Sequence, residues 1–135
     1  MQRFTEIKVW QRGHSLTLDI YRLTLGFPVA ERYGLLSQLR RAAASVPANI
    51  AEGSKRTGRH DYARFLNIAE GSLVETEYLI LLSRDLGYIT APHAAAVQAK
   101  ITELAKMLHG LREKVEPSQI LNPSRSNLES HGSSA

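Results

Sequence analysis

Val9, Gly13, Leu16, Ile20, Leu23 and Phe27 are spaced 4, 3, 4, 3 and 4 residues apart, and Val97, Ile101, Leu104, Leu108, Leu111 and Val115 repeat the same steps. Only a helix brings such positions to one side, because a turn takes about 3.6 residues. Each stripe is an apolar face that must be buried against another element. Two further helical patterns lie between them. The spacing therefore predicts helices over about residues 6–26, 30–56, 59–86 and 91–115. No strand-like alternation and no internal repeat interrupts them. The expected fold is all-α: an antiparallel up-down-up-down four-helix bundle over residues 1–116, each helix roughly 30–40 Å long. Residues 117–135 hold six serines and two prolines and read as a disordered C-terminal tail.

The second segment has Leu36, Leu39, Ala43, Val46 and Ile50 on one face and Arg41, Ser45, Asn49, Glu52 and Arg56 on the other. Pro47 falls inside it. A proline removes one i→i−4 bond and meets the carbonyl of residue 43, so a kink or a restart is expected there, with Ser45 capping the second half. Gly53 to Gly58 reads as a turn, with Thr57 as N-cap of the third helix. That third helix is apolar twice over: Tyr62, Leu66, Ala69, Leu73, Thr76, Ile80 and Ser83 on one side, Ile68, Gly71, Tyr78 and Leu82 on the other. A helix apolar on two faces is buried on two sides, and in a small bundle the second burial is often a subunit interface. A homo-oligomer is expected. Gly87 suits the end of this helix, and Pro92 the first turn of the fourth.

Charge is concentrated. Between Arg40 and Arg64 stand six Lys/Arg (Arg40, Arg41, Lys55, Arg56, Arg59, Arg64) against Glu52 and Asp61, a local +4 that equals the net charge of the whole chain. The turn feeds the start of the third helix, where free backbone N–H groups favour an anion. Lys55, Arg56, Arg59, His60 and Arg64, with Arg40, are thus the candidate nucleic-acid contacts. The plainer reading is a solvated basic turn.

Several function classes drop out. The chain has no cysteine, which excludes disulfides, thiol catalysis and cysteine-ligated zinc. None of the five histidines follows a glutamate by three residues, so the helical di-metal pattern is missing, and no metal or cofactor is expected. Gly58 is followed by Arg59 and His60 rather than Lys-Ser/Thr, which excludes a nucleotide-hydrolysing phosphate loop. Ser45, Ser72 and Ser83 lie in helical pattern, not on a strained elbow. Glu70 and Glu77 share a face while Glu75 points elsewhere. They are either an acid/base pair or partners for Arg40 or Arg41. With Arg41, Ser45, Asn49 and Glu52 they form a candidate polar network, and no catalytic residue is assigned. The start of the chain lacks a signal-peptide pattern and no apolar run spans a membrane, so a cytoplasmic protein is expected.

The string QLRRAAASVPANIAEG from Gln38 to Gly53 resembles the bacterial four-helix-bundle proteins first noted as reading frames in intervening sequences of 23S ribosomal RNA genes. The likeness continues from Arg64 to Leu73, at Glu75 and at Leu86 to Ile89. Upstream it takes in Val9-Trp10, Ile20-Tyr21, Phe27-Pro28, Glu31 and Tyr33 to Leu35, so that it covers about residues 4–115. Where the family has an aromatic-Gly-Arg run after Glu-Gly, this chain has Ser54-Lys55-Arg56. The resemblance implies homopentamers of bundles packed side by side and no established catalysis. A remote relative, the accessory protein of diversity-generating retroelements, is a basic pentamer that binds nucleic acid and a reverse transcriptase. The resemblance therefore implies a factor associated with structured RNA or other nucleic acid; the alternatives are a protein-interaction scaffold and an enzyme with Arg41, Asn49, Glu52 and Glu70 lining a pocket.

Overall fold

A computed structural model describes residues 3–117. Among these the chain is all-α, with four helices and three short 3-10 turns. The helices are α1 (Lys8–Leu23), α2 (Leu35–Gly53), α3 (Arg59–Asp85) and α4 (Ala91–Val115). The expected tail from residue 118 onward lies outside the described residues. Both 4-3 stripes point into one core: Leu16, Ile20, Leu39, Val46, Ile50, Leu66, Leu73, Ile80 and Leu108 are its most fully buried side chains. α1 packs on α2 and α4, and α3 packs on the same two. Contacts run in opposed register. Gly13 meets Pro47 while Thr17 meets Ala43. Gly53 meets Phe65 while Ser45 meets Ser72, and Glu70 meets Arg112 while Glu77 meets Gln98.

α2 departs from expectation. It starts at Leu35 rather than near residue 30, and it runs as one helix through Pro47 with no restart. The missing N–H of Pro47 strands the carbonyl of Ala43. Thr17 on α1 answers it: its Oγ1 lies 3.1 Å from that carbonyl and 2.9 Å from Gly13 O on its own helix. Ser45 is consequently not a cap; its hydroxyl pairs with Ser72 instead.

The ends are fixed by local chemistry. Gly34 precedes α2 and offers no side-chain cap, but Glu31 Oε1 accepts from Leu35 N at 3.2 Å, while Glu31 Oε2 accepts from the Tyr88 hydroxyl at 2.8 Å. α3 begins after Gly58, and Thr57 makes no cap. It ends at Asp85, and Gly87 lies just beyond with φ +81°, its N bonded to Arg84 O and Tyr88 N to Ser83 O. Those two bonds define the Schellman arrangement that favours glycine. Thr90 caps α4 through His93 N.

The two ends of the bundle differ. The α1–α2 connection leaves Leu25, Val29 and Tyr33 79%, 86% and 89% exposed, with Leu86 half exposed beside the α3–α4 connection. The turn from Ser54 to Gly58 lies at the opposite end, about 28 Å away along α2.

Candidate nucleic-acid interface at the basic end

The α2–α3 turn is tight because Gly53 lies directly on the start of α3. A Cβ built there would stand 2.7 Å from Phe65 Cβ and 3.1 Å from the Tyr62 ring. Burial pushes the Tyr62 phenol above its ordinary pKa of 10.0. Residues 55–60 are all exposed. The buried Phe65 ring carries two guanidiniums, those of Arg56 and Arg64, each 4.6 Å from its centroid. Such stacking fixes a cation on a rigid mount.

Each of these arginines also meets a carboxylate. Arg64 Nε donates to Asp61 Oδ1 at 3.0 Å, and its Nη2 is 2.9 Å from the same oxygen. Arg56 Nη2 donates to Glu52 Oε1 at 2.8 Å, and its Nε is 3.7 Å from Asp61 Oδ2. His60 Nδ1 is 3.1 Å from Glu116 Oε1 on α4's end. The side chains of Lys55 and Arg59 have no hydrogen bond or ion pair among the described residues. A cleft lined by His60, Arg64, Asn67, Arg112 and Glu116 continues the polar surface from α3 onto α4. Sequence reasoning missed Phe65, Asn67 and Arg112 there. The Phe65 position breaks the main stripe, and Arg112 lies far off in the chain.

Arg40 is not at this end. It sits some 22 Å up α2, where its Nε donates to Thr24 Oγ1 at 2.8 Å, its Nη2 to Tyr21 O at 3.2 Å, and its guanidinium lies 4.5 Å from the Tyr21 ring. It closes the C-terminal end of α1, a favourable place for a cation.

The expected polar network divides in three. Ser45, Asn49 and Ser72 form one chain: Ser45 Oγ is 2.9 Å from Ser72 Oγ, and Asn49 Nδ2 donates to Ser45 Oγ at 2.9 Å and to Ser45 O at 2.8 Å. Arg41, Gln38 and Glu75 line the same open cleft of about 180 Å³ between α2 and α3, Arg41 and Glu75 making no ion pair among the described residues. Glu52 belongs instead to Arg56. Glu70 and Glu77 face α4, lining a groove with Leu73, Val74, Ile101 and Lys106. The partner of Glu70 is Arg112, with His109 Nδ1 3.6 Å away, and not Arg40 or Arg41. None of the three groups pairs a nucleophile with a base: the two serine hydroxyls bond each other and an amide.

The profile of the 23S rRNA-intervening sequence protein family matches residues 5–110. The chain belongs to that family. Among solved structures, a protein of unknown function from the S23 ribosomal protein family of Bacteroides thetaiotaomicron is similar at 26% identity and a TM-score of 0.70, covering 78% of this chain and 98% of that one. No curated protein matches it. In this intervening-sequence protein the Arg41 to Gly53 string thus does three things. Its apolar side fills the core, its polar side lines the α2–α3 cleft, and its final glycine lets α3 turn back. No described helix is long and apolar enough to cross a membrane.

Proposed function

We propose that this protein is a non-catalytic, cytoplasmic binding factor that holds structured RNA by its phosphate backbone at the basic end of the bundle. The observation that carries the reading is the turn itself: Lys55 and Arg59 exposed and unpaired among the described residues, flanked by Arg56 and Arg64 mounted on Phe65. Guanidiniums and ammoniums placed this way position a phosphate chain without reading bases. The opposed helix registers support an up-down-up-down order, with any bend of α2 centred on Pro47.

A second observation favours self-association. Ile68, Val74, Tyr78 and Leu81 leave α3 with a row of exposed apolar side chains. One of them, Val74, lines the groove against α4 beside Glu70 and Glu77. A second copy covering the row would give the ring of five that the family resemblance implies, and a ring multiplies a weak phosphate site by avidity. The alternative is a scaffold in which this face takes another protein and no nucleic acid binds.

The test is binding to a hairpin RNA across a salt series, beside a DNA duplex of matched length. The expected result is a log-linear fall with salt, and weaker binding with a shallower slope when Lys55, Arg56 and Arg59 are all changed to alanine. No binding at low salt would leave the scaffold reading.

A further inference from the structure

We propose that Asp61 is a built-in placeholder for a phosphate group, and that ligand binding at the basic end is an exchange of one anion for another. The inference rests on the phosphate-contact reading above and names how that site is regulated.

One carboxylate is shared by two guanidiniums. Its Oδ1 takes both contacts from Arg64 and its Oδ2 faces Arg56. Both guanidiniums rest on the same buried ring, so their spacing is set by Phe65 as well as by Asp61. Removing the carboxylate leaves both guanidiniums held against Phe65 around the point it vacates. A phosphate suits that point better than Asp61 does. It brings more acceptor oxygens, and a guanidinium binds it with paired N–H bonds.

The exchange is shallow in energy. The side chains of Asp61, Arg56 and Arg64 are each about half exposed, and ion pairs of that kind contribute little. Asp61 is the third residue of α3, so once displaced it still faces the positive end of the helix. The other anions at this end are engaged elsewhere: Glu52 holds the far side of Arg56 and Glu116 faces His60. Lys55 and Arg59 stay open to the next phosphates along a chain. A single small anion must compete with Asp61 alone, whereas a polyanion gains those extra contacts at once. The arrangement selects phosphate chains over dispersed ions.

The experiment has two arms. In the first, pyrophosphate is titrated into ¹⁵N-labelled protein while the Nε–Hε resonances of Arg56 and Arg64 are followed, in the parent chain and in Asp61→Asn. In the second, hairpin RNA binding is measured for the parent, D61N, R56A/R64A and the triple variant, with melting curves to confirm folding and Asp61→Ser as a second neutral replacement. Both arginine signals should move together. D61N and D61S should tighten binding about two- to fivefold, the scale of one exposed ion pair. That gain should vanish without the two arginines. A gain that persists in their absence would be a general charge effect and would overturn the proposal, as would arginine signals that ignore pyrophosphate. Pyrophosphate exchange without RNA binding upholds the placeholder and removes the RNA reading. RNA binding indifferent to Asp61 does the reverse.

Discussion

The hydroxyl of Thr17 on α1 stands 3.1 Å from the carbonyl of Ala43 on α2, the carbonyl that Pro47 leaves without its helical partner. One side chain thereby repairs a defect in the neighbouring helix. Thr17→Val should cost about 1–3 kcal/mol, the price of an unsatisfied buried acceptor. In a Pro47→Ala background, where the helix regains its own N–H, the same change should cost clearly less. Urea unfolding of the four-member cycle measures the difference, and equal costs in both backgrounds would remove the link.

Two buried glycines should respond to alanine with opposite sign. At Gly53 the new methyl would collide with Phe65 and Tyr62, and such overpacking costs about 1–3 kcal/mol. At Gly13 it would stand 3.5 Å from Pro47 and Val46, ordinary contact. There the better helix propensity should dominate, raising stability by about 0.5–1 kcal/mol. Thermal melting of the two single variants decides both.

Arg40 separates structure from binding. Arg40→Ala should lower stability by about 1–3 kcal/mol, since it removes a charged donor from the fully buried Thr24. RNA affinity should change less than about twofold, because the residue is remote from the proposed phosphate contacts. A loss of affinity equal to that of Arg59→Ala would return Arg40 to the binding surface.

The Tyr88 hydroxyl donates to Glu31, and that bond, with burial and the carboxylate's charge behind it, raises the phenol's pKa above 10.0. A raised phenol is neutral in the folded chain where it would ionise unfolded. The stability it contributes is complete below about pH 10 and is lost as pH climbs through the folded value. The parent should therefore lose stability faster than Tyr88→Phe as pH rises above about 10, read as the difference in urea midpoints. Identical slopes would show the bond contributes nothing.

Association should depend on α3's outer row. Replacing Tyr78 with glutamate places a charge one turn from Val74 and from Leu81 on the exposed side of α3, so sedimentation should show a shift toward monomer with the melting of the helices retained. A parent chain that is already monomeric at about 50 μM would end the self-association reading.

The core was legible because burial repeats with the helical turn, and Val9 to Phe27 or Val97 to Val115 state that period directly. Gly87 was legible for another reason: a left-handed residue after a long apolar pattern is chemistry confined to neighbours. Arg40 was misplaced because sequence proximity to Lys55 means about fifteen residues of helix, hence the far end of the bundle. Glu31 and Tyr88 are 57 residues apart in two connections, and no periodicity links them. Pro47 reads as a break only while its helix is considered alone; Thr17, on a different helix, is what keeps it whole.

The unlike ends of the bundle set what an assembly of these chains would be. If copies stand side by side through α3 with their axes parallel, every Lys55 and Arg59 gathers on one rim and every Leu25, Val29 and Tyr33 on the other. The particle would have a wet charged side and a dry one. An RNA strand could then be held against the first while an apolar surface of another protein meets the second, each docking without obstructing the other.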